Sequence, residues 1–244
     1  VSTSDHPADF PTTRWSRITR AADPAGPEAR AALAELCAAY WYPIYALIRR
    51  RGHNPDAALD LTQDYFARLL EKGTLAAANP DKGRFRAFLR TDCSFFLSDR
   101  GDRDRALRRG GGRAVLSIDA RDAEGRYLVE PADDLTAERL FDRAWALTLL
   151  ARALDRLAAA EAAAGRGPLF ERLQGTLGGG ASTIAHGEVA RALGLSPEAV
   201  HQAASRLRKH YRAALHDEIA ATLDDPKDAA VEAEIRDLFE ALGR

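Results

Sequence analysis

Cysteine is nearly missing from this chain and methionine wholly so: 244 residues carry two of the first and none of the second. Cys37 and Cys93 each fall on an apolar stripe of an expected helix, so they read as buried free thiols, and no disulfide or cysteine metal framework follows. The absent methionines carry no functional reading. Long apolar runs are missing too. Residues 144–151 form one of the longest, far short of the ~20 that a membrane-spanning helix needs. The opening VSTSDHPADF lacks the basic-then-apolar layout of a signal peptide, so the expectation is a cytoplasmic chain with no membrane partner. Net charge is also small, −1, which argues against indiscriminate binding to nucleic acid. β-branched residues are scarce beside Ala, Leu, Arg and Glu, a mixture that favours helix over sheet. The glycine runs at 110–112 and 178–180 lack the Lys-Ser/Thr ending of a phosphate-binding loop. Gly-x-Ser-x-Gly, His-Glu-x-x-His and paired histidine ligands are not found. The expectation is therefore a protein with no catalytic residues, no metal and no cofactor.

What is present is uneven. From Lys82 to Arg113 there are ten basic residues against four acidic, and from Asp217 to Glu240 nine acidic against two basic. Punctuation by Gly and Pro divides the chain into an N-terminal arm (1–27), a helical domain (28–109), a linker (110–135), a second helical domain (136–223) and an amphipathic C-terminal extension (224–244). The expected fold is all-α, two small helical domains joined by a linker. Within the first, Pro43 should kink or split the opening helix, and Gly52 and Gly73 close successive helices. Within the linker, AVLSID and RYLVE around the turn-forming DAEG suggest a small hairpin. Thr136 offers a capping hydroxyl to the next helix.

The segment EVARALGLSPEAVHQAASRLRKHYRAAL, residues 188–215, is the most sharply punctuated. Gly194 suits a helix end, Ser196 an N-cap and Pro197 a first helical position. Val200, Ala204, Leu207, Tyr211 and Leu215 share one face of the second helix, which leaves Gln202, Ser205, Arg206, Lys209 and Arg212 pointing to solvent. In a helix-turn-helix the second helix enters the major groove. Glu198, His201, Gln202 and Ser205 would then meet base edges, and Arg206, Lys209 and Arg212 phosphates. The same pattern also fits a solvated basic face on a packed helix.

Two earlier helices carry complementary charge. On that of residues 55–72, Asp56, Asp60, Asp64 and Glu71 lie within about 80° of one another opposite an apolar side. They suit a cationic docking partner or an ordinary solvated face. On the next, Phe85, Phe88, Phe95 and Phe96 interleave with Arg84, Arg86, Arg90, Arg100, Arg103 and Arg105, as in binders of single-stranded DNA. Phe85, Leu89, Cys93 and Phe96 share a face and read as core; the arginines and Phe88 are the contact candidates.

In order and spacing, DAALDLTQDYFARLLE, KGRFRAFLRTDCSFFLSDRGDR and HGEVARALGLSPEAVHQAASRLRKHYR resemble the bacterial RNA polymerase sigma factors of the extracytoplasmic-function type. The likeness covers about residues 28–220. It implies a region 2-like and a region 4-like domain, core RNA polymerase and promoter DNA as partners, and transcription initiation as the function. By resemblance, Asp56, Asp60, Gln63, Asp64 and Glu71 bind the polymerase. Asn79, Arg84, Arg86, Phe88 and Arg90 serve the minus-ten element, with a flipped base captured around Asn79 to Gly83, and residues 198–212 serve the minus-thirty-five element. Leu59 stands where the family usually has a second acid, and Thr62 replaces a branched aliphatic. Some sigma factors of this kind are controlled by threonine phosphorylation in this helix, so the resemblance implies Thr62 as a candidate phosphorylation site for a Ser/Thr kinase, although the helical wheel puts it on the apolar side. An anti-sigma factor is a further partner that the family implies. The rival reading is a ligand-responsive helix-turn-helix repressor, which predicts an apolar pocket and a dimer interface in place of a docking stripe.

Overall fold

A computed structural model describes residues 27–71, 85–104, 120–129, 135–177, 186–223 and 227–243. Every regular element among them is helical: α1 (Pro27–Arg50), α2 (Pro55–Glu71), α3 (Phe85–Asp104), α4 (Ala120–Val129), α5 (Ala137–Ala163), α6 (Gly167–Leu173), a 3-10 turn (Gln174–Thr176), α7 (His186–Leu193), α8 (Pro197–Ala220) and α9 (Asp228–Leu242). The all-α expectation holds over this span. The N-terminal arm, the loop of residues 72–84 and most of the 110–135 segment lie outside it.

The centre is α1. All ten of its residues from Ala39 to Ile48 are buried, so this helix has no solvent face along that stretch. Burial on every side explains why α1 runs unbroken through Pro43, where the sequence suggested a kink or split. A proline inside a helix costs about 3 kcal/mol, and the apolar surface of Tyr40, Trp41, Ile44, Tyr45, Leu47 and Ile48 offsets that several times over at about 1.5–3 kcal/mol for each large side chain. Gly52 then ends the helix in the left-handed region, at φ +95°. The side-chain oxygen of Asn54 accepts a hydrogen bond from the Ala57 amide at 2.8 Å and starts α2. Cys37 and Cys93 are buried free thiols, as expected, and burial pushes both up to about 12.

A second difference concerns residues 120–129, which form α4 rather than a hairpin strand. The cause is tertiary. Glu124 of α4 accepts two hydrogen bonds from Arg49, at 2.9 and 2.8 Å, and one from Tyr45 at 2.6 Å. Arg126 stacks over the Tyr42 ring at 3.8 Å, and Arg49 over Tyr127 at 4.8 Å. Helical spacing brings Glu124 and Tyr127 to one side, where they meet α1 together.

Thr136 caps α5 by accepting from the Arg139 amide, as anticipated. Of all helix pairs, α1 and α5 pack together most extensively. Leu140, Phe141, Ala144, Trp145, Leu149 and Ala153 join the apolar cluster built on α1, α2 and α3, while Leu157, further along α5, belongs to a separate cluster with Phe170, Leu173, Val189, Ala190, Val200, Ala203, Ala204 and Leu207. The helix α8 likewise serves both: its first half lies in the smaller cluster, and Ala214, Leu215 and Ile219 lie in the larger. Tyr211 packs at the junction and donates to the Leu150 carbonyl. The apolar clusters therefore do not divide the chain at the 110–135 segment. Their division runs across α5 and α8, because the first half of α5 supplies the surface that closes over α1. Ion pairs of Arg152 and Arg156 with Glu218 hold the two long helices together.

Candidate nucleic-acid interface

The turn between α7 and α8 is built as its residues dictate. Gly194 takes φ +64°, which a residue with a side chain rarely adopts. The Leu195 amide reaches back to the Ala190 carbonyl at 2.9 Å, and the Ser196 hydroxyl oxygen accepts from the Ala199 amide at 3.1 Å. Val189 and Ala190 of α7 pack with Val200, Ala203, Ala204 and Leu207 of α8 over Phe170 and Leu173. That packing turns the opposite side of α8 outward: Glu198, His201, Gln202, Arg206, Lys209 and Arg212 are exposed, and Ser205 is half-buried. Arg212 also stands 3.7 Å from Glu232 of α9. Arg208, exposed beside them, adds a cation that the apolar wheel did not single out.

Beside this face is a cleft of about 300 Å³ lined by Glu161, Arg166, Leu169, Phe170, Arg206 and His210, among others. Buried Glu161 accepts hydrogen bonds of 2.6 and 3.0 Å from Arg166, and His210 Nδ1 lies 3.5 Å away. Its carboxyl is held below the usual range, chiefly by Arg166. Sequence reasoning missed this group. Glu161 and Arg166 are five residues apart across a helix end, so no helical period pairs them.

The acidic stripe of α2 is only partly open. Asp56 and Asp60 are exposed and Gln63 is half-buried. Asp64, by contrast, is tied to Arg100 of α3 in an ion pair, and Arg100 stacks over Phe96 at 5.4 Å. Next to it Arg68 pairs with Asp92. The Glu71 side chain lies outside the described residues. Thr62 is fully buried and its hydroxyl donates to the Ala58 carbonyl at 2.7 Å. That placement corrects its candidacy for phosphorylation: a kinase cannot reach an oxygen enclosed between α2 and the core, and the wheel that put Thr62 on the apolar side was the better guide.

On α3, Phe85, Leu89, Cys93 and Phe96 are core, as expected. The remaining expectations change. Phe88 is half-buried against the same core and stacks with Phe85 at 6.0 Å between centroids. Arg86 is not on an open surface. It lies 2.6 Å from Asp237 and 3.3 Å from Glu234 of α9, 3.5 Å from Asp142 of α5, and 4.5 Å above the Trp145 ring. Arg90 pairs with Asp142 at 2.7 Å. Burial raises the Asp142 carboxyl even with both arginines opposing it. A wheel drawn on α3 alone cannot register carboxylates that arrive from residues some 50 and 150 positions away. The aromatic residue of α3 that faces solvent is Phe95, 67 % exposed. It lies roughly 115° from the core stripe at 100° per residue, a signal present in the sequence. Asn79 and Arg84 lie outside the described residues. No family model, curated protein or solved structure matches this chain.

Proposed function

We propose that the chain is a sigma factor: a non-catalytic subunit that binds core RNA polymerase, recognises a two-part promoter and helps to open it. The observation that carries this reading is the outer face of α8. A sharply capped helix, fixed from behind by α5, α6 and α7, presents Glu198, His201 and Gln202 near its start and Arg206, Lys209 and Arg212 beyond them. Polar side chains at the N-terminal end of such a helix meet base edges, and cations one or two turns later meet phosphates. The exposed pair Asp56 and Asp60 supports polymerase docking, with Gln63 beside it. Asp64 contributes to that surface only by giving up Arg100. For the minus-ten element, the exposed ring of Phe95 is the group on α3 best placed to stack on an unpaired base.

The test is transcription from a mixed promoter library by purified core polymerase, with and without this chain. New initiation sites that appear only with the chain, and vanish with the double charge reversal Asp56→Lys and Asp60→Lys, are the expected result. Duplex binding with no core-dependent initiation would overturn the reading in favour of a repressor.

A further inference from the structure

The cleft between α3, α5 and α9 has the composition of an anion site whose occupant is part of the same chain. About 280 Å³ in volume, it is lined by Arg86, Arg139, Asp142, Asp237 and Glu240, with Leu135 and Ala241. Asp237 and Glu240 come from α9, as does Glu234, which reaches Arg86 from below. Carboxylates of α9 thus stand where Arg86 would hold phosphate oxygens: Asp237 accepts from Arg86 Nη2 at 2.6 Å, a charge-assisted hydrogen bond that a phosphate oxygen can also accept. Arg86 and Arg90 together face Asp142, Glu234 and Asp237, so the pair is over-neutralised by one negative charge. With α9 withdrawn, Asp142 alone would face both arginines, and exposed Arg139 would add a third cation at the rim. The local charge changes sign.

Four residues anchor α9: Val231, Ile235 and Leu238 join the apolar cluster that holds Leu140, Phe141, Trp145 and Leu149 of α5, and Glu234 is buried beside them. The large apolar side chain that α9 exposes is Phe239, 56 % exposed. We infer that α9 is an internal mimic of a nucleic-acid backbone, an autoinhibitory helix over a cleft in which Arg86, Arg90 and Arg139 bind the phosphates of single-stranded DNA. This rests on the proposed function for its biological setting, since a covered cleft keeps the free protein off DNA until another interaction displaces α9.

The experiment measures binding of a fluorescent single-stranded 20-mer by anisotropy between about 0.05 and 1 M salt, on the full chain and on the full chain with Glu234→Gln and Asp237→Asn. These variants keep the apolar anchors of α9 while removing the charges that occupy Arg86. Each additional phosphate that the protein neutralises adds about 0.7 to the slope of log affinity against log salt. The variant should therefore bind about fivefold tighter than wild type at about 0.1 M salt and converge with it near 1 M. Adding Arg86→Ala should cancel the gain, and hydrogen exchange of residues 228–242 should rise when the oligonucleotide binds wild type. A second variant ending at residue 226 removes α9 outright and should show the same slope. An unchanged slope in both variants, or a gain that survives Arg86→Ala, overturns the inference. The binding assay contains no polymerase, so a tighter variant with no core-dependent transcription would sink the sigma-factor reading and leave the clasp standing. Transcription without any change in oligonucleotide binding would do the reverse.

Discussion

Arg86→Met is the substitution with the most to lose. It keeps most of the stem and its packing on Trp145 while removing the guanidinium from among Asp142, Glu234 and Asp237. The Arg86 side chain is 11 % exposed and that of Glu234 4 %, so this is a desolvated group rather than a surface pair. At about 4 Å and an effective dielectric near 20, each ion pair is worth about 4 kcal/mol in Coulomb terms. Desolvation takes back most of that, but it does so in the wild type as well. In the variant Glu234 stays buried, Asp142 and Asp237 stay partly buried, and Arg90 is the remaining guanidinium; breaking a buried group of this kind typically costs about 3–5 kcal/mol. Urea unfolding followed by circular dichroism at pH 7 should show that loss. Combining Arg86→Met with Glu234→Gln should recover at least about 1 kcal/mol, because the second change removes the stranded charge. A single-variant loss below about 1 kcal/mol, the figure for exposed ion pairs, would refute the view that this desolvated network helps to hold α9 in place.

Four further outcomes follow from the geometry. Thr62→Val should change stability by about 1 kcal/mol or less, because its hydroxyl donates to the Ala58 carbonyl of its own helix. Thr62→Glu should instead lower the melting temperature by about 6 °C or more, since an uncompensated buried carboxylate costs several kcal/mol; an unaltered transition would mean that the site is open after all. Arg206→Ala with Lys209→Ala should flatten the log–log salt dependence of duplex DNA binding by about 1.8, two phosphates at about 0.9 each, and an unaltered slope would show that neither side chain meets phosphate. Hydrogen bonds from Arg49 hold the Glu124 carboxyl below its ordinary value. A depressed acid stabilises the fold above its unfolded pKa of about 4.3 and loses that contribution as pH falls through the folded value. The stability gap between wild type and Arg49→Gln should therefore be full at pH 6 and close below about pH 4; a gap constant from pH 6 to pH 3 would assign the effect to packing alone.

What could be read from the sequence was local. Gly52, Gly194, Ser196 and Thr136 announced where helices begin and end, because each acts through its own backbone or a neighbour three or four residues away. The outer face of α8 was legible for the same reason: its apolar stripe fixes which side is left over. The long-range features were not. Arg86 and Arg90 looked available on their own helix, and only the arrival of α5 and α9 shows them engaged. Pro43 looked disruptive until the surroundings of α1 were known, and DAEG reads as a turn wherever Arg49 and Tyr45 are not there to capture Glu124. Phe239 falls near the apolar stripe of α9 and yet faces water.

The continuity of α8 has a mechanical corollary. Its 24 residues make a rod about 36 Å long, with the polar face that would touch a duplex at one end and Leu215 and Ile219 locked beneath α9 at the other. One alanine inserted near Tyr211 would turn the far end by about 100° and swing those anchors out of phase with their sockets. The spacing between the two ends is therefore fixed by residue count, so the polar face and the anchors beneath α9 keep one rotational register.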